Sequence, residues 1–109
     1  MLRVRRIEQF GFPILQVAGN LDLTTFGRLL TEVVHLLENR PQTLGLDLSQ
    51  VTLADASAVS LVATAAEWMA EHDGKLRLLD TSPAFEEAVR KSGPFLRPHS
   101  HLEVYHQVA

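Results

Sequence analysis

The segment "DASAVS", which begins at Asp55, carries the residues of this sequence best placed to do chemistry. If a helix starts here, the Asp55 carboxylate accepts hydrogen bonds from the backbone N–H of Ser57 or Ala58, and the remaining free N–H groups attract anions. Because Ala56, Ala58 and Ser60 are small, a phosphate group or the backbone of another protein could approach this surface closely. A purely structural helix cap is the alternative, and from this segment alone we favour it.

Composition limits what kind of protein this is. A chain of 109 residues suits one domain, to which we assign residues 1–109. Its 46% hydrophobic residues, 21% charged residues and formal net charge of −3 indicate a folded domain, and nucleic acid is not an expected partner. The absence of cysteine from the sequence excludes disulfides and fits a reducing cytoplasm, where we expect the protein. No apolar segment is long enough to predict membrane insertion.

Catalytic and metal-binding patterns are missing from the sequence. It contains no glycine-rich phosphate loop, no H-E-x-x-H and no nucleophile elbow, so we expect neither an enzyme nor a cofactor. His99, His101 and His106 form the only suggestive metal cluster. Since three histidines near a chain end lack a clear fourth ligand, we interpret them as solvated and predict no metal site.

The first half of the chain predicts a hairpin followed by a helix. Residues 2–10 alternate in hydrophobicity, residues 11–13 offer a tight reversal, and "ILQVAG" follows as a second strand. The next segment has helical spacing, with Asp22 or Thr24 as its cap and a stop at residues 39–41. The apolar positions of this helix are Phe26, Leu29, Leu30, Val33, Leu36 and Leu37.

The second half predicts two parallel strands joined by a helix. Strands over residues 43–48 and 75–80 flank a helix that runs from Asp55 to about Glu71, and a right-handed crossover makes the strands parallel neighbours. Ser82 then caps a further helix, which Gly93 ends. The predicted core includes Leu44, Leu46, Leu48, Val62, Leu76 and Leu78.

The fold class that follows is α/β, in one domain. We expect a mixed sheet of four to five strands flanked by three to four helices, with the hairpin adding antiparallel edges. The last segment, "FLRPHSHLEVYHQVA", fits either a short strand or a helical cap.

The helix after Asp55 carries two apolar stripes. Val59, Val62, Ala63 and Ala66 form one, and Leu61, Ala65 and Trp68 form the other. If one stripe faced solvent, Leu61 and Trp68 would suit a partner or a homodimer. Burial in the core is the alternative, and we favour it for a helix this apolar.

Four segments resemble the STAS domain family, and specifically its small bacterial anti-sigma factor antagonists. "VAGNLDLTT" is similar to the family's turn into the first helix, and "LGLDLSQVTLADASAVS" to its strand and Asp-Ser-Ser/Thr-Gly signature. "HDGKLRLLD" resembles the next helix end and strand, and "SPAFEEAVRKSG" the following helix. Together they span residues 17–93.

The resemblance implies a regulatory binding protein. In the family, the antagonist binds an ATP-using anti-sigma kinase of the histidine-kinase-like ATPase fold, which inactivates it by phosphorylating the Ser or Thr after the signature Asp. That position is Ala56 here, between the retained Asp55 and Ser57, so the docking surface is retained and the usual phospho-switch is missing. Ser57 is the best remaining acceptor, although we favour a structural or docking role for it.

The implied partner-binding set has six members. The family's turn places an Asp such as Asp22 near the signature helix, although its residue type also suits a simple cap. The expected docking residues are Asp22, Asp55, Ala56, Ser57, Ala58 and Val59. The resemblance leaves one other function open, a STAS subunit of a membrane transport complex, as in lipid-trafficking ATP-binding-cassette systems, or a STAS domain that binds a nucleotide.

Overall fold

The computed structural model describes residues 1–92 and 102–104. The strands are β1 (Leu2–Gln9), β2 (Phe12–Leu21), β3 (Thr43–Ala54), β4 (Lys75–Thr81) and β5 (Leu102–Val104). The helices are α1 (Phe26–Leu37), α2 (Ala56–Glu71) and α3 (Pro83–Ser92). The segment left open between a strand and a helical cap therefore forms a strand at β5, whereas His99, His101, His106 and the helix end predicted at Gly93 lie outside the described residues.

One mixed sheet has the strand order β1-β2-β3-β4-β5. The predicted parallel neighbours are confirmed, because β3 pairs with β4 in parallel register, with Leu44 beside Leu76 and Leu46 beside Leu78. The sheet contains fewer antiparallel strand pairings than the sequence predicted. Among the described strands, only β1 is antiparallel to its neighbour, since the α1 crossover returns the chain so that β2 and β3 run in the same direction.

The hairpin turn lies one residue earlier than predicted. Phe10 and Gly11 form it, with φ of 58° and 85°, and Phe12 and Pro13 already belong to β2. A two-residue turn with both φ values positive matches the right-handed twist of the paired strands. Glycine adopts this conformation freely, which explains Gly11 at the second position.

The core lies between one face of the sheet and the helices, with α2 packed against both α1 and α3. The core residues predicted from the two parallel strands and from Val62 are all confirmed as buried. Leu61 is also buried, and Trp68 is half-buried, so core packing holds for most of the second stripe of α2. Each fully buried leucine contributes about 1.5–3 kcal/mol through loss of apolar surface to water.

Helix starts follow local hydrogen bonding. The predicted cap of α3 is confirmed, because the Phe85 N–H donates to Ser82 Oγ over 3.1 Å. The predicted cap of α1 is wrong, since Thr25 occupies the N-cap position and makes no side-chain cap bond. The Asp22 carboxylate is instead bonded to Thr24, within the turn that precedes the helix.

Candidate functional site

Asp55 closes the first turn of α2, as the sequence predicted. Its backbone is extended, and Oδ1 accepts from the N–H of Ser57 over 2.9 Å and of Ala58 over 3.3 Å. The Ser57 hydroxyl donates to the same oxygen over 2.5 Å. One carboxylate oxygen therefore satisfies two of the free N–H groups at the helix start and also holds the only hydroxyl of the first turn.

The second oxygen of Asp55 reaches a different part of the chain. Oδ2 accepts from the backbone N–H of Leu23 over 3.2 Å, which attaches the loop between β2 and α1 to the start of α2. Asp22 organises that loop from within. Its Oδ1 accepts from the Thr24 N–H over 2.9 Å and from the Thr24 hydroxyl over 2.7 Å. The residue that follows Asp22 is thus hydrogen-bonded to the cap of α2.

Hydrogen bonding stabilises the ionised form of both carboxylates. The Ser57 hydroxyl is the main cause that lowers the pKa of Asp55, and the N–H groups of Leu23, Ala58 and Ser57 lower it further. The side chain and then the backbone of Thr24 lower the pKa of Asp22. The negatively charged carboxylates of Asp22 and Asp55 both lie at this end of the sheet.

Four of the six expected docking residues have accessible surface. Asp55 and Ala56 are exposed, and Asp22 and Ser57 are half-buried. Ala58 and Val59 are wrong as docking residues, because both have 0% relative exposure and face the core. The reason is geometric, since positions three and four residues after the cap turn onto the side of α2 that packs on the sheet.

Two exposed leucines were missed by the sequence reasoning. Leu23 is 69% exposed and Leu53 is 59% exposed, and both flank Asp55, Leu23 through its hydrogen bond and Leu53 as the second residue before it. Their residue type predicts burial, so no signal in the sequence separates them from core leucines. We define the docking face as Asp22, Leu23, Leu53, Asp55, Ala56 and Ser57.

A shallow groove between α1 and α2 adjoins Ser57. It has a volume of about 350 Å³ and is lined mainly by apolar surface. Its lining residues are Phe26, Leu30, Ser57, Ser60, Leu61, Thr64 and Trp68. Such a groove can accept an apolar side chain but offers few groups for fixing a polar ligand.

Within residues 1–92 and 102–104, no group of three or more His, Asp or Glu side chains is placed to hold a metal ion. In the same part of the chain, no helix is both long enough and apolar enough to cross a membrane.

The chain forms a mixed sheet that helices cover on one face, and the capped start of α2 is exposed. This arrangement defines the class of domain. The chain belongs to the STAS family, because residues 7–94 match the family model described as Mlab, STAS domain. The resemblance to the STAS domain family is therefore confirmed. Comparison of the sequence with curated proteins finds no match.

Solved structures share this fold at low sequence identity. An anti-sigma factor antagonist from Mycobacterium paratuberculosis aligns with a TM-score of 0.79 and 18% identity, covering 96% of this chain and 86% of its own. The antagonist SpoIIAA in its unphosphorylated form gives 0.71 and 14%, covering 97% and 89%. RsbS of Moorella thermoacetica gives 0.74 and 14%, covering 97% and 88%.

Proposed function

We propose that this domain is an anti-sigma factor antagonist-like regulator that docks an anti-sigma kinase, or a related regulatory protein, through the docking face. The observation that carries the proposal is the exposure of Leu23 and Leu53, one hydrogen-bonded through its backbone to the ionised Asp55 and the other two residues before it in the chain. Exposed apolar surface that is rimmed by polar residues marks many protein interaction sites. The fold shared with solved antagonists supports the same function.

The docking face works without the usual phospho-switch. By the sequence resemblance, Ala56 corresponds to the family's acceptor position; it is the exposed first residue of α2 and has no hydroxyl to modify. A phosphate there would add about −1.5 to −2 charges beside Asp55 and would weaken docking through repulsion from Asp55 and through the cost of desolvating the phosphate. Alanine cannot be switched in this way. The amount of the protein, or competition for its partner, then controls its activity.

Ser57 is a docking or structural residue in this proposal. Its hydroxyl is bonded to Asp55 over 2.5 Å, and a kinase would have to break that bond before using it as an acceptor. The next residue of a helix is also rotated by about 100°, so a kinase aligned on position 56 would not face position 57. Thr52, another hydroxyl nearby, is bonded to the Asn20 side chain over 3.1 Å.

The partner is of a defined kind. We propose a kinase of the histidine-kinase-like ATPase fold, acting with this domain in the cytoplasm. Its surface should place apolar side chains against Leu23 and Leu53 and hydrogen-bond donors or cations against Asp55, because opposite charges across an interface favour association.

Affinity purification from the native cell, followed by calorimetric titration with the recovered partner, tests the proposal. The change Ala56→Arg places a bulky cation in the centre of the docking face and should abolish binding. The matched control is Glu67→Ala, an exposed residue of α2 outside the docking face, which should bind like the wild type. Unchanged affinity of the Ala56→Arg variant would place the interface elsewhere.

A second candidate function is that of a permanent subunit of a membrane transport complex. The observation that favours it is again Ala56, because a permanent subunit needs a docking surface but no phosphate acceptor. The matching family model is described as Mlab, STAS domain, and that description names no antagonist. The same purification separates the candidates, since recovery of a permease with its ATPase favours the second and recovery of a kinase favours the first.

A further inference from the structure

The face of the sheet opposite the helices contains a solvent-open depression. Its volume is about 410 Å³, and its polar residues come from the first three strands. The lining residues are Arg3, Arg5, Gln16, Val17, Ala18, Asp47, Ser49 and Gln50. None of them belongs to the docking face, so this depression is separate from the proposed docking site.

Charges of opposite sign lie at the two ends of one row across this depression. Arg5 on β1 pairs in register with Gln16 on β2, and Gln16 pairs with Asp47 on β3. Neighbouring strands are about 4.8 Å apart, which places the Cα atoms of Arg5 and Asp47 about 10 Å apart with Gln16 midway. The row therefore runs from cation through neutral amide to anion.

The charged side chains that line the depression can still form ion pairs or hydrogen bonds with another molecule. Arg3 and Arg5 are exposed, and neither side chain is hydrogen-bonded or ion-paired to any residue in the described part of the chain. Asp47 Oδ1 accepts from the N–H and hydroxyl of Ser49 over 3.0 and 2.6 Å, whereas its Oδ2 has no such bond among the described residues. The adjacent Arg6 differs, because it alternates to the other face and pairs with Glu8 over 3.3 Å.

We propose that this sheet face binds a second copy of the chain and forms a dimer with two-fold symmetry. The symmetry axis lies above Gln16 and runs parallel to the strands. Such an axis reverses the row, so that Arg5 of each copy meets Asp47 of the other. The two Gln16 side chains meet at the axis, where each amide can donate to and accept from its equivalent. Sheets that stack face to face lie about 10 Å apart, a separation that side chains of this length can bridge.

Charge complementarity selects a second copy as the occupant. A free anion drawn to Arg3 and Arg5 would also meet the negative charge of Asp47, whereas the reversed row of an identical surface satisfies both ends at once. The dimer should be salt-sensitive, because its exposed ion pairs are screened over about 10 Å at 0.1 M salt. It would leave the docking faces of both copies uncovered.

Sedimentation equilibrium of the full chain, at protein concentrations from about 10 μM to 1 mM and in low and high salt, tests the proposal. The wild type should dimerise in low salt. Arg5→Glu and Asp47→Arg should each weaken the dimer at least about tenfold, because each creates two like-charged contacts across the axis. The double variant Arg5→Glu/Asp47→Arg should restore it, since the exchanged charges again meet their opposites.

Arg6→Glu is the matched control, with the same charge change on the same strand but on the other face, and it should dimerise like the wild type. Circular dichroism of each variant establishes that it is folded. A monomeric wild type at the highest concentration would overturn the proposal. So would a dimer that survives both single reversals, or a double variant that stays monomeric, and a dimer lost equally in Arg6→Glu would show that net charge alone is responsible.

Discussion

Leu23 and Asp55 are 32 residues apart in the chain, yet the backbone N–H of one donates to the carboxylate of the other over 3.2 Å. Leu23 donates to Oδ2 of this carboxylate, and Oδ1 caps α2. One side chain therefore couples the helix start to a loop that presents an exposed leucine, and the docking face depends on Asp55 for its shape as well as for its charge.

Removing this carboxylate should destabilise the domain. Asp55→Ala is expected to lower the free energy of unfolding by about 1–2 kcal/mol, because it removes an N-cap and leaves the Leu23 N–H without its acceptor. Urea denaturation measures the change. Glu67→Ala, an exposed carboxylate of the same helix, should stay within about 0.5 kcal/mol of the wild type. Equal losses in the two variants would show that Asp55 has no structural role.

The acid response of Asp55 should depend on Ser57. Because the Ser57 hydroxyl is the main cause of the lowered pKa, Ser57→Ala should raise the pKa of Asp55 toward its ordinary value. A depressed folded pKa stabilises the protein above the unfolded pKa of about 3.9, and this stabilisation is lost as the pH falls through the folded value. The stability difference between variant and wild type should therefore shrink below about pH 4.

Titration of the carboxyl groups by NMR provides this measurement together with an internal control. The pKa of Asp22 is lowered by Thr24, so it should be the same in the Ser57→Ala variant and in the wild type. An unchanged pKa for Asp55, or an equal rise at Asp22, would contradict the assignment.

Arginine at two neighbouring alanines should have opposite consequences. Ala58→Arg should destabilise the fold by about 3 kcal/mol or more, because Ala58 has 0% exposure and a charged side chain would be forced into a filled core. Ala56→Arg should change stability by less than about 1 kcal/mol, since Ala56 is exposed. Thermal unfolding of both proteins decides the point, and a stable Ala58→Arg variant would contradict the packing of α2.

The missing phospho-switch should be restorable with one oxygen atom. Incubated with its kinase and ATP, the wild type should remain unmodified and bound, whereas Ala56→Ser should become labelled. The phosphoserine should then weaken the complex, because its negative charge lies beside the ionised Asp55. Mass spectrometry follows the label, and stoichiometric phosphate on Ser57 of the wild type would mean that the acceptor has moved by one residue.

Local chemistry is what the sequence determined for this protein. The Asp55 cap, the Ser82 cap and the helix from Ala56 to Glu71 depend on residues within a few positions of one another. The parallel pairing of β3 with β4 also followed, because a helix between two strands constrains their direction. The sequence predicted the hairpin turn one residue too late, because Phe10 adopts a positive φ, a conformation expected of glycine.

Only the tertiary structure decided which small and apolar residues form a surface. Ala56 and Ala58 are chemically identical, and only the packing of α2 on the sheet makes the first exposed and the second buried. Leu23 and Leu53 look like core leucines in the sequence, and they are exposed because no described element covers that end of the sheet. Burial depends on contacts between distant segments, whereas the periodicity of a sequence reports only on the segment that contains it.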